Sequence, residues 1–387
     1  MKAEWKKVKL GEIATFSNGV NFGKESYTSG VKLIGVSNFG NKYFPVYEDL
    51  DEINEKVLRE NDYLKDGDIV FVRSNGNKEL VGRCMLIQNP PSPVTYSGFC
   101  IRARLNDTAT NNPRFFTYYF KSKIFRKSMS NSAVGANIQN LNQGLLSNHE
   151  ISLPPLETQQ KIASILSAYD DLIENNRKQI KLLEEAAQRL YKEWFVDLRF
   201  PGYENVAIVD GVPEGWRIGT LGEIGEFKRG KTITRDTTIK GDIPVVAGGL
   251  EPAYYHNESN TESPVITVSG SGANAGFTRM YNEKIWASDC SFLDFSKCKV
   301  LNFIYCILKS SSAIVDNLQK GAAQPHVYAK DINALKILIP NNELIEKFEY
   351  IINTYFFKIK NCQLEIKNAQ QARDKLLPRL MSGEMEV

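Results

Sequence analysis

Histidine is nearly missing from this chain: His149, His256 and His326 are the three in 387 residues. They lie far apart, and no carboxylate or nucleophile stands at a paired spacing to any of them. The usual general base and the usual imidazole metal ligand are therefore in short supply, and each histidine is expected to be structural. Cysteine is equally sparse. Cys84, Cys100, Cys290, Cys298, Cys306 and Cys362 contain no CxxC pair, and the eight-residue spacing of the middle three fits no zinc pattern. They are expected to be reduced core thiols, and no metal site is expected. No apolar run approaches the ~20 residues that span a bilayer. The opening MKAEWKKVKLGEIATF lacks the apolar core of an export signal. A cytoplasmic protein with no membrane partner is expected. The formal net charge is only +3, so a surface for nucleic acid has to be local. Walker loops, nucleophile motifs and nuclease-like carboxylate–lysine clusters are missing too, and the expectation is a chain that catalyses nothing.

Three stretches imitate functional motifs. Asn89-Pro90-Pro91-Ser92 begins like the motif of an amino-methyltransferase, but its fourth residue is serine and no cofactor loop precedes it. A polar, proline-rich turn is the simpler reading. Ser269-Gly270-Ser271-Gly272-Ala273-Asn274-Ala275-Gly276 follows a predicted strand, as a phosphate loop would. Its spacing is GxGxxxG, however, and the next segment, Phe277 to Tyr281, reads as a strand. The third stretch interleaves Arg114, Lys121, Lys123, Arg126 and Lys127 with Phe115, Phe116, Tyr118 and Tyr119. It reads as a phosphate-facing helix or as an amphipathic helix with a charged outer face.

What the chain has in quantity is a heptad pattern. Between Thr158 and about Phe195 the seam positions are Ile162, Leu166, Tyr169, Ile173, Asn176, Ile180, Leu183, Ala187, Leu190 and Trp194. The steps alternate four and three residues, the pattern of a helix that buries one narrow stripe against another helix. Shifted by 186, the seam returns as Phe348, Ile352, Tyr355, Ile359, Cys362, Ile366, Ala369, Arg373, Leu376 and Leu380. The two helices are natural partners. Asn176 would weaken the seam and fix its register.

A wider repeat surrounds them. Trp5, Leu10-Gly11-Glu12-Ile13, Phe16 and Gly19 match Trp216, Leu221-Gly222-Glu223-Ile224, Phe227 and Gly230 at an offset of 211. Gly135-Ala136, Ile151, Leu153 and Pro154 match Gly321-Ala322, Ile337, Ile339 and Pro340 at an offset of 186. The fall in offset means 25 extra residues in the first unit. Repeats this long are duplicated domains. The first unit shows short strand-like runs at 31–36, 68–72, 84–87 and 99–103 and a helical stretch from Pro113 to Met129. The second shows runs at 243–246, 265–268 and 284–286 and a helix at 301–308. Phe200-Pro201-Gly202 is expected to close the first long helix. The expected fold is α+β: two mainly-β domains of the same fold (1–154 and 201–340), separated by two long antiparallel coiled-coil helices (155–200 and 341–387). A pseudo-two-fold internal repeat relates the halves.

This organisation resembles the specificity (S) subunit of type I restriction–modification systems. The residues that carry the resemblance are three sets. They are the passage Ile151-Ser152-Leu153-Pro154-Pro155-Leu156-Glu157-Thr158-Gln159-Gln160-Lys161-Ile162, the helix end Lys192-Glu193-Trp194-Phe195-Val196-Asp197, and the Trp-x4-Leu-Gly-Glu-Ile openings of both halves. The second passage, Pro340 to Phe348, departs from it: the second proline and the glutamine pair are missing, and subunit contacts there are expected to differ. The resemblance implies a non-catalytic subunit that binds double-stranded DNA. Each target-recognition domain would read one half of a bipartite target. The helices would set the spacing and dock two modification (methyltransferase) subunits. Restriction (translocase/nuclease) subunits complete such a complex. S-adenosylmethionine, ATP and Mg would belong to those partners, and this chain would hold no cofactor.

Polar loops follow equivalent strands in the two units, Arg73-Ser74-Asn75-Gly76-Asn77-Lys78 (closed by Gly82) and the stretch from Ser269. Such side chains hydrogen-bond base edges and phosphates. The expected DNA contacts are Lys24, Arg73, Ser74, Asn75, Asn77 and Lys78 in the first unit, and Lys231, Ser269, Ser271 and Asn274 in the second. The expected helix-pair interface is Ile162, Leu166, Tyr169, Ile173, Asn176, Ile180, Leu183 and Leu190 against Phe348, Ile352, Tyr355, Ile359, Ile366 and Leu376. Two rival readings are a self-contained DNA methyltransferase and a coiled-coil scaffold without a DNA role. The helix from Thr158 to Trp194 advances about 54 Å at ~1.5 Å per residue, which exceeds the ~34 Å of one DNA turn. Lengthening it by one heptad is expected to change the gap in the methylated target. Methylome sequencing reads that gap, and an unchanged gap contradicts the ruler.

Overall fold

The computed structural model describes residues 5–40, 43–74, 81–132, 141–310 and 326–387. Two compact units divide the chain: 1–173 with 367–387, and 174–366.

In the first unit the strands are β1 (Lys6–Lys9), β2 (Ala14–Asn18), β3 (Tyr27–Ile34), β4 (Asp51–Ile53), β5 (Ile69–Val72), β6 (Cys84–Leu86), β7 (Val94–Tyr96), β8 (Cys100–Leu105) and β9 (Glu150–Leu153). They form a four-stranded sheet β2-β8-β5-β6, a three-stranded sheet β4-β3-β7 and the pair β1-β9. All pairings are antiparallel except β3 with β7. β5, the run Ile-Val-Phe-Val, is buried on both faces, which is why it reads as continuously apolar. Its alternate residues serve two cores, as a strand's period of two requires. Val70 and Val72 face the three-stranded sheet with Ile34, Val94 and Tyr96. Ile69 and Phe71 join Phe116, Phe120 and Phe125 from the helices behind.

The stretch expected as one helix from Pro113 to Met129 is two, Pro113–Lys121 and Lys123–Ser132. Ser122 makes the break: its hydroxyl donates to the Tyr119 carbonyl at 2.6 Å and accepts from Phe125 N at 3.3 Å. Phe115, Phe116, Tyr118 and Tyr119 are buried, and the Lys121 ammonium lies 4.4 Å from the Tyr43 ring centre. The first of the two is a core helix; the second leaves Lys123, Arg126 and Lys127 exposed.

The second unit repeats the plan. Its strands are β10 (Ile208–Val209), β11 (Val212–Pro213), β12 (Arg217–Thr220), β13 (Lys228–Arg229), β14 (Ile243–Val246), β15 (Tyr254–His256), β16 (Val265–Ser269), β17 (Thr278–Tyr281), β18 (Trp286–Ala287), β19 (Cys290–Asp294) and β20 (Lys336–Ile339). The sheets β13-β19-β16-β17, β15-β14-β18 and β12-β20 copy the first unit's order strand for strand, and β14 pairs β18 in parallel as β3 pairs β7. The hairpin β10-β11 has no counterpart among the described residues of the first unit.

The first long helix runs Leu156–Tyr191 and the second Asn342–Met381. Gln159, buried, ties the first helix down: its amide accepts from Asn112 N at 2.9 Å and donates to the Pro154 carbonyl at 2.9 Å. The second helix, which lacks that glutamine, is capped by Asn341, whose side chain accepts from Leu344 N at 2.9 Å. The first helix does not end at Phe200-Pro201-Gly202. It passes into a π-helical turn, Lys192–Val196, that buries the adjacent Trp194 and Phe195 together, and it stops at Leu198, whose φ is +58°.

In each unit a segment of the first long helix packs antiparallel against a segment of the second. Within the first unit Ile162 and Leu166 share a core with Leu377 and Leu380, and Arg373 Nη1 lies 2.5 Å from Asp170 Oδ1. Within the second, Trp194 packs on Phe348 and Ala187 joins the cluster of Ile352, Phe356 and Ile359. Asn176 Nδ2 donates to Glu365 at 2.9 Å, and Cys362 Sγ approaches Gln179 at 3.9 Å, so the numbering runs in opposite senses. Of the expected seam, Ile162, Leu166, Ile173, Asn176, Phe348, Ile352 and Ile359 are buried, while Tyr169, Ile180, Leu183, Leu190, Tyr355, Ile366 and Leu376 are half-buried.

Glu349 anchors the helix Leu301–Ser310 to the second long helix. Its carboxylate accepts from Phe303 N at 2.9 Å, from Asn302 N at 3.2 Å and from Asn302 Nδ2 at 2.9 Å. Burial pushes its pKa up from 4.5 to about 7, against the pull of these donors. The folded state thus holds a proton that the unfolded chain has released between pH 4.5 and 7, and the stability contributed by this group falls as pH rises through that window. The full shift corresponds to about 3 kcal/mol. Glu349→Gln should remove the effect, so the melting temperature of the variant minus that of the native chain should rise by roughly 5 °C from pH 5 to pH 8. Parallel melting curves across that range contradict it.

Candidate nucleic-acid interface

Functional side chains of a duplicated fold are most readily found where the backbone is the same and the side chains differ. One edge of each four-stranded sheet has this property. In the first unit Gly19 N donates to Cys100 O at 3.2 Å, Arg73 N to Phe99 O at 2.8 Å and Leu141 N to Arg73 O at 2.8 Å. In the second, Gly230 N donates to Cys290 O at 2.8 Å, Gly270 N to Asp289 O at 3.2 Å and Val327 N to Gly270 O at 3.1 Å. The two edges are built bond for bond alike. Gly19 and Gly230 are required by the same close approach: a Cβ would stand 2.3 Å from Ser97 O in one and 2.3 Å from Ser288 O in the other. This pair was visible in the sequence as the last match of the 211-residue repeat.

Onto this frame the two units hang different groups. The first presents Asn18 at the end of β2, Arg73 and Ser74 after β5, and Phe99 before β8. Arg73 is half-buried and its guanidinium reaches the Gly98 carbonyl at 3.4 Å. Phe99 is 62% exposed between buried neighbours. The second presents Arg229 at the end of β13, Ser271 after β16 and Asp289 before β19. Ser271 donates to one oxygen of the Asp289 carboxylate, and Arg229 Nη2 stands 3.8 Å from the other. Lys228, Arg229, Lys231 and Arg235 are all exposed, a local cationic run suited to phosphates.

Not every expected contact stands on this surface. Ser269 is buried, and its hydroxyl donates to Gly248 O at 3.1 Å. It fastens two loops together and is out of reach of a duplex, because a β16 residue that packs inward cannot also face solvent. Asn274 donates to the same carbonyl at 3.4 Å. The loop from Ser269 to Gly276 is a hairpin connection between antiparallel β16 and β17 and opens no helix of phosphate-cradling length. Lys24 is exposed at the start of a short 3-10 turn, and Lys231 is exposed, with its carbonyl held by Trp286 Nε1 at 2.7 Å. Asn75, Asn77 and Lys78 lie outside the described residues, as do Gly135, Ala136, Gly321 and Ala322. Phe99, Asp289, Asn18 and Arg229 were not expected. Asn18 and Arg229 had a signal, since each precedes a matched glycine; Phe99 and Asp289 had none, because neither lies within a matched stretch.

Other titratable groups are occupied with the fold. His149 is buried between Tyr119 OH at 2.7 Å and Ser128 Oγ at 3.2 Å, and burial lowers its pKa. His256 Nδ1 accepts from Ile239 N at 3.1 Å. Arg104 grips buried Asp68 through two hydrogen bonds of 2.7 and 2.6 Å, and this partner raises its pKa further. The six cysteines are free and buried. Among the described residues no group of three His, Cys, Asp or Glu side chains could hold a metal ion, and no helix is long and apolar enough to cross a membrane.

Known proteins share this organisation. The family model "Type I restriction modification DNA specificity domain" matches residues 2–185 and 213–373. The type I restriction enzyme MjaIX specificity subunit of Methanocaldococcus jannaschii is 27% identical, across 99% of this chain and 93% of that one. The HindI specificity subunit of Haemophilus influenzae is 21% identical, across 99% of this chain and all of its own length. Among solved structures, the S subunit of a type I restriction–modification system from M. genitalium has the same fold, with a TM-score of 0.59 at 19% identity over 98% of this chain and 96% of that one. With the duplicated sheets, the paired helices and a family model that covers both halves, this chain belongs to the type I restriction–modification DNA specificity family.

Proposed function

We propose that each unit reads one half of a bipartite DNA target, and that the two long helices set the gap between the halves and dock two modification subunits. The observation that carries this reading is the pair of matched sheet edges: one backbone frame, built by the same hydrogen bonds, with Asn18, Arg73 and Phe99 on one copy and Arg229, Gly270 and Asp289 on the other. A frame held constant under different side chains suits two readers of different sequence, because base edges are told apart by donor, acceptor and methyl pattern. The chain itself is a non-catalytic, cytoplasmic subunit. S-adenosylmethionine is held by the modification subunits, and ATP and Mg by the restriction subunits.

Docking has its own support. Tyr350, Phe357 and Leu364 stand exposed at seven-residue spacing on the second long helix, opposite the buried seam. Large apolar groups on the outer line of a paired helix suit a further helix laid along it. The corresponding positions of the first helix are Ser164, Asp171 and Lys178, so the two docking surfaces would not be alike.

The test is an exchange. Residues 213–335 are replaced by the matching segment of a related specificity subunit, and the chain is expressed with its modification partner. Methylome sequencing should show one half of the target changed and the other half and the gap kept. A change in both halves, or methylation at no defined sequence, contradicts the reading.

A further inference from the structure

The slot before the central strand, filled by Phe99 in one unit and Asp289 in the other, has a feature that the rest of the edge lacks: its filling is matched by a neighbour. Where the slot holds a carboxylate, the adjacent strand end holds Arg229, 3.8 Å away. Where it holds a phenyl ring, the same strand end holds Asn18, which is uncharged. The equivalence is fixed by backbone bonds, since Gly19 and Gly230, which follow these residues, donate to Cys100 and Cys290, which follow the slot. The carboxylate thus has its countercharge on the neighbouring strand end, while beside the phenyl ring the cation is Arg73, turned onto the Gly98 carbonyl.

Both residues reach solvent. Phe99 is 62% exposed, and the Asp289 side chain is 38% exposed. Both are held on rigid turns. Ser97, Gly98 and Cys100 around Phe99 are buried, and a Cβ on Gly98 would meet Asn21 Oδ1 at 2.0 Å. Asp289 is oriented by Ser271, which donates to one of its oxygens and leaves the other toward Arg229. An exposed carboxylate on a surface that meets phosphates is a liability unless it reads something. It can only accept, and the acceptor-seeking groups in the major groove are the amino groups of cytosine and adenine. An exposed phenyl ring offers no hydrogen bond, and its partner there is the thymine methyl.

We propose that this slot determines specificity in both units. Asp289, flanked by Arg229 and oriented by Ser271, accepts from the amino group of a cytosine or adenine in one half of the target, and Phe99 packs on a thymine methyl in the other. The proposal rests on the recognition reading above. Its test uses the full chain in complex with its modification partner, with Asp289→Ala, Asp289→Asn, Phe99→Ala and Phe99→Leu. Asp289→Asn keeps an acceptor for Ser271 should the alanine variant fail to fold, and melting curves report folding. Asp289→Ala and Asp289→Asn should each lower the preference at one base pair of one half-site about tenfold and leave the other half unchanged. Phe99→Ala should relax one position of the other half only, and Phe99→Leu should retain it. If the folded variants leave the methylated sequence unchanged, the proposal is overturned while the recognition reading stands. If the native complex methylates no defined sequence, both are overturned.

Discussion

The contact on which the rest depends is the seam between the two long helices. It is antiparallel in each unit, and it makes each unit a composite of segments distant in the chain. In the first unit Leu377 and Leu380, from the chain's last turns, share a core with Phe116, Phe120 and Ile162. Trp5 lies 3.4 Å from where a Cβ on Gly383 would sit, so the segment before β1 meets the one that follows the second long helix. In the second, Phe348 closes against Trp194, Phe195 and Phe303. Burial of such side chains contributes about 2–3 kcal/mol each, so the recognition folds depend on the helix pairing for their own cores.

Polar groups inside the seam do a different job from the apolar ones. Asp170 is held by Arg373 and Tyr118, yet burial still raises its pKa, so the net gain from this cluster is small. Asn176, itself buried, donates to Glu365 at the exposed margin of the seam. Such pairs have one satisfactory register, and a slip of one heptad would strand a buried amide and a charge. The apolar seam makes the helices associate, and the polar pairs say where.

Much of this was legible in advance for physical reasons. The heptad seam is a strong periodic signal, and Phe348, Ile352 and Ile359 are buried in the phase that it gave. The duplication was visible in part because Gly19 holds a place that tolerates no side chain: a carbonyl stands 2.3 Å from where a Cβ would sit. What escaped the sequence was local competition. Ser122 breaks a helix by hydrogen-bonding its own backbone, and a π-helical turn displaces the helix end to Leu198, a residue with no helix-stopping propensity. Cys290–Asp294 is a central strand that its mixed polar residues conceal. The surface residues were hardest. A serine after a strand looks the same in sequence whether it faces solvent, as half-buried Ser271 partly does, or is turned inward like Ser269.

A duplicated frame keeps its backbone because glycine and hydrogen-bond constraints at the sheet edge leave no alternative, and it is free to vary the side chains that the edge displays. The helix pair completes both cores. The most direct test is a double-mutant cycle across the seam, with Asp170→Ala, Arg373→Ala and the double variant compared by their unfolding free energies. A coupling of about 1 kcal/mol between these two positions, and none between Asp170→Ala and Arg379→Ala, is the predicted result; additive effects at Asp170 and Arg373 would contradict the account.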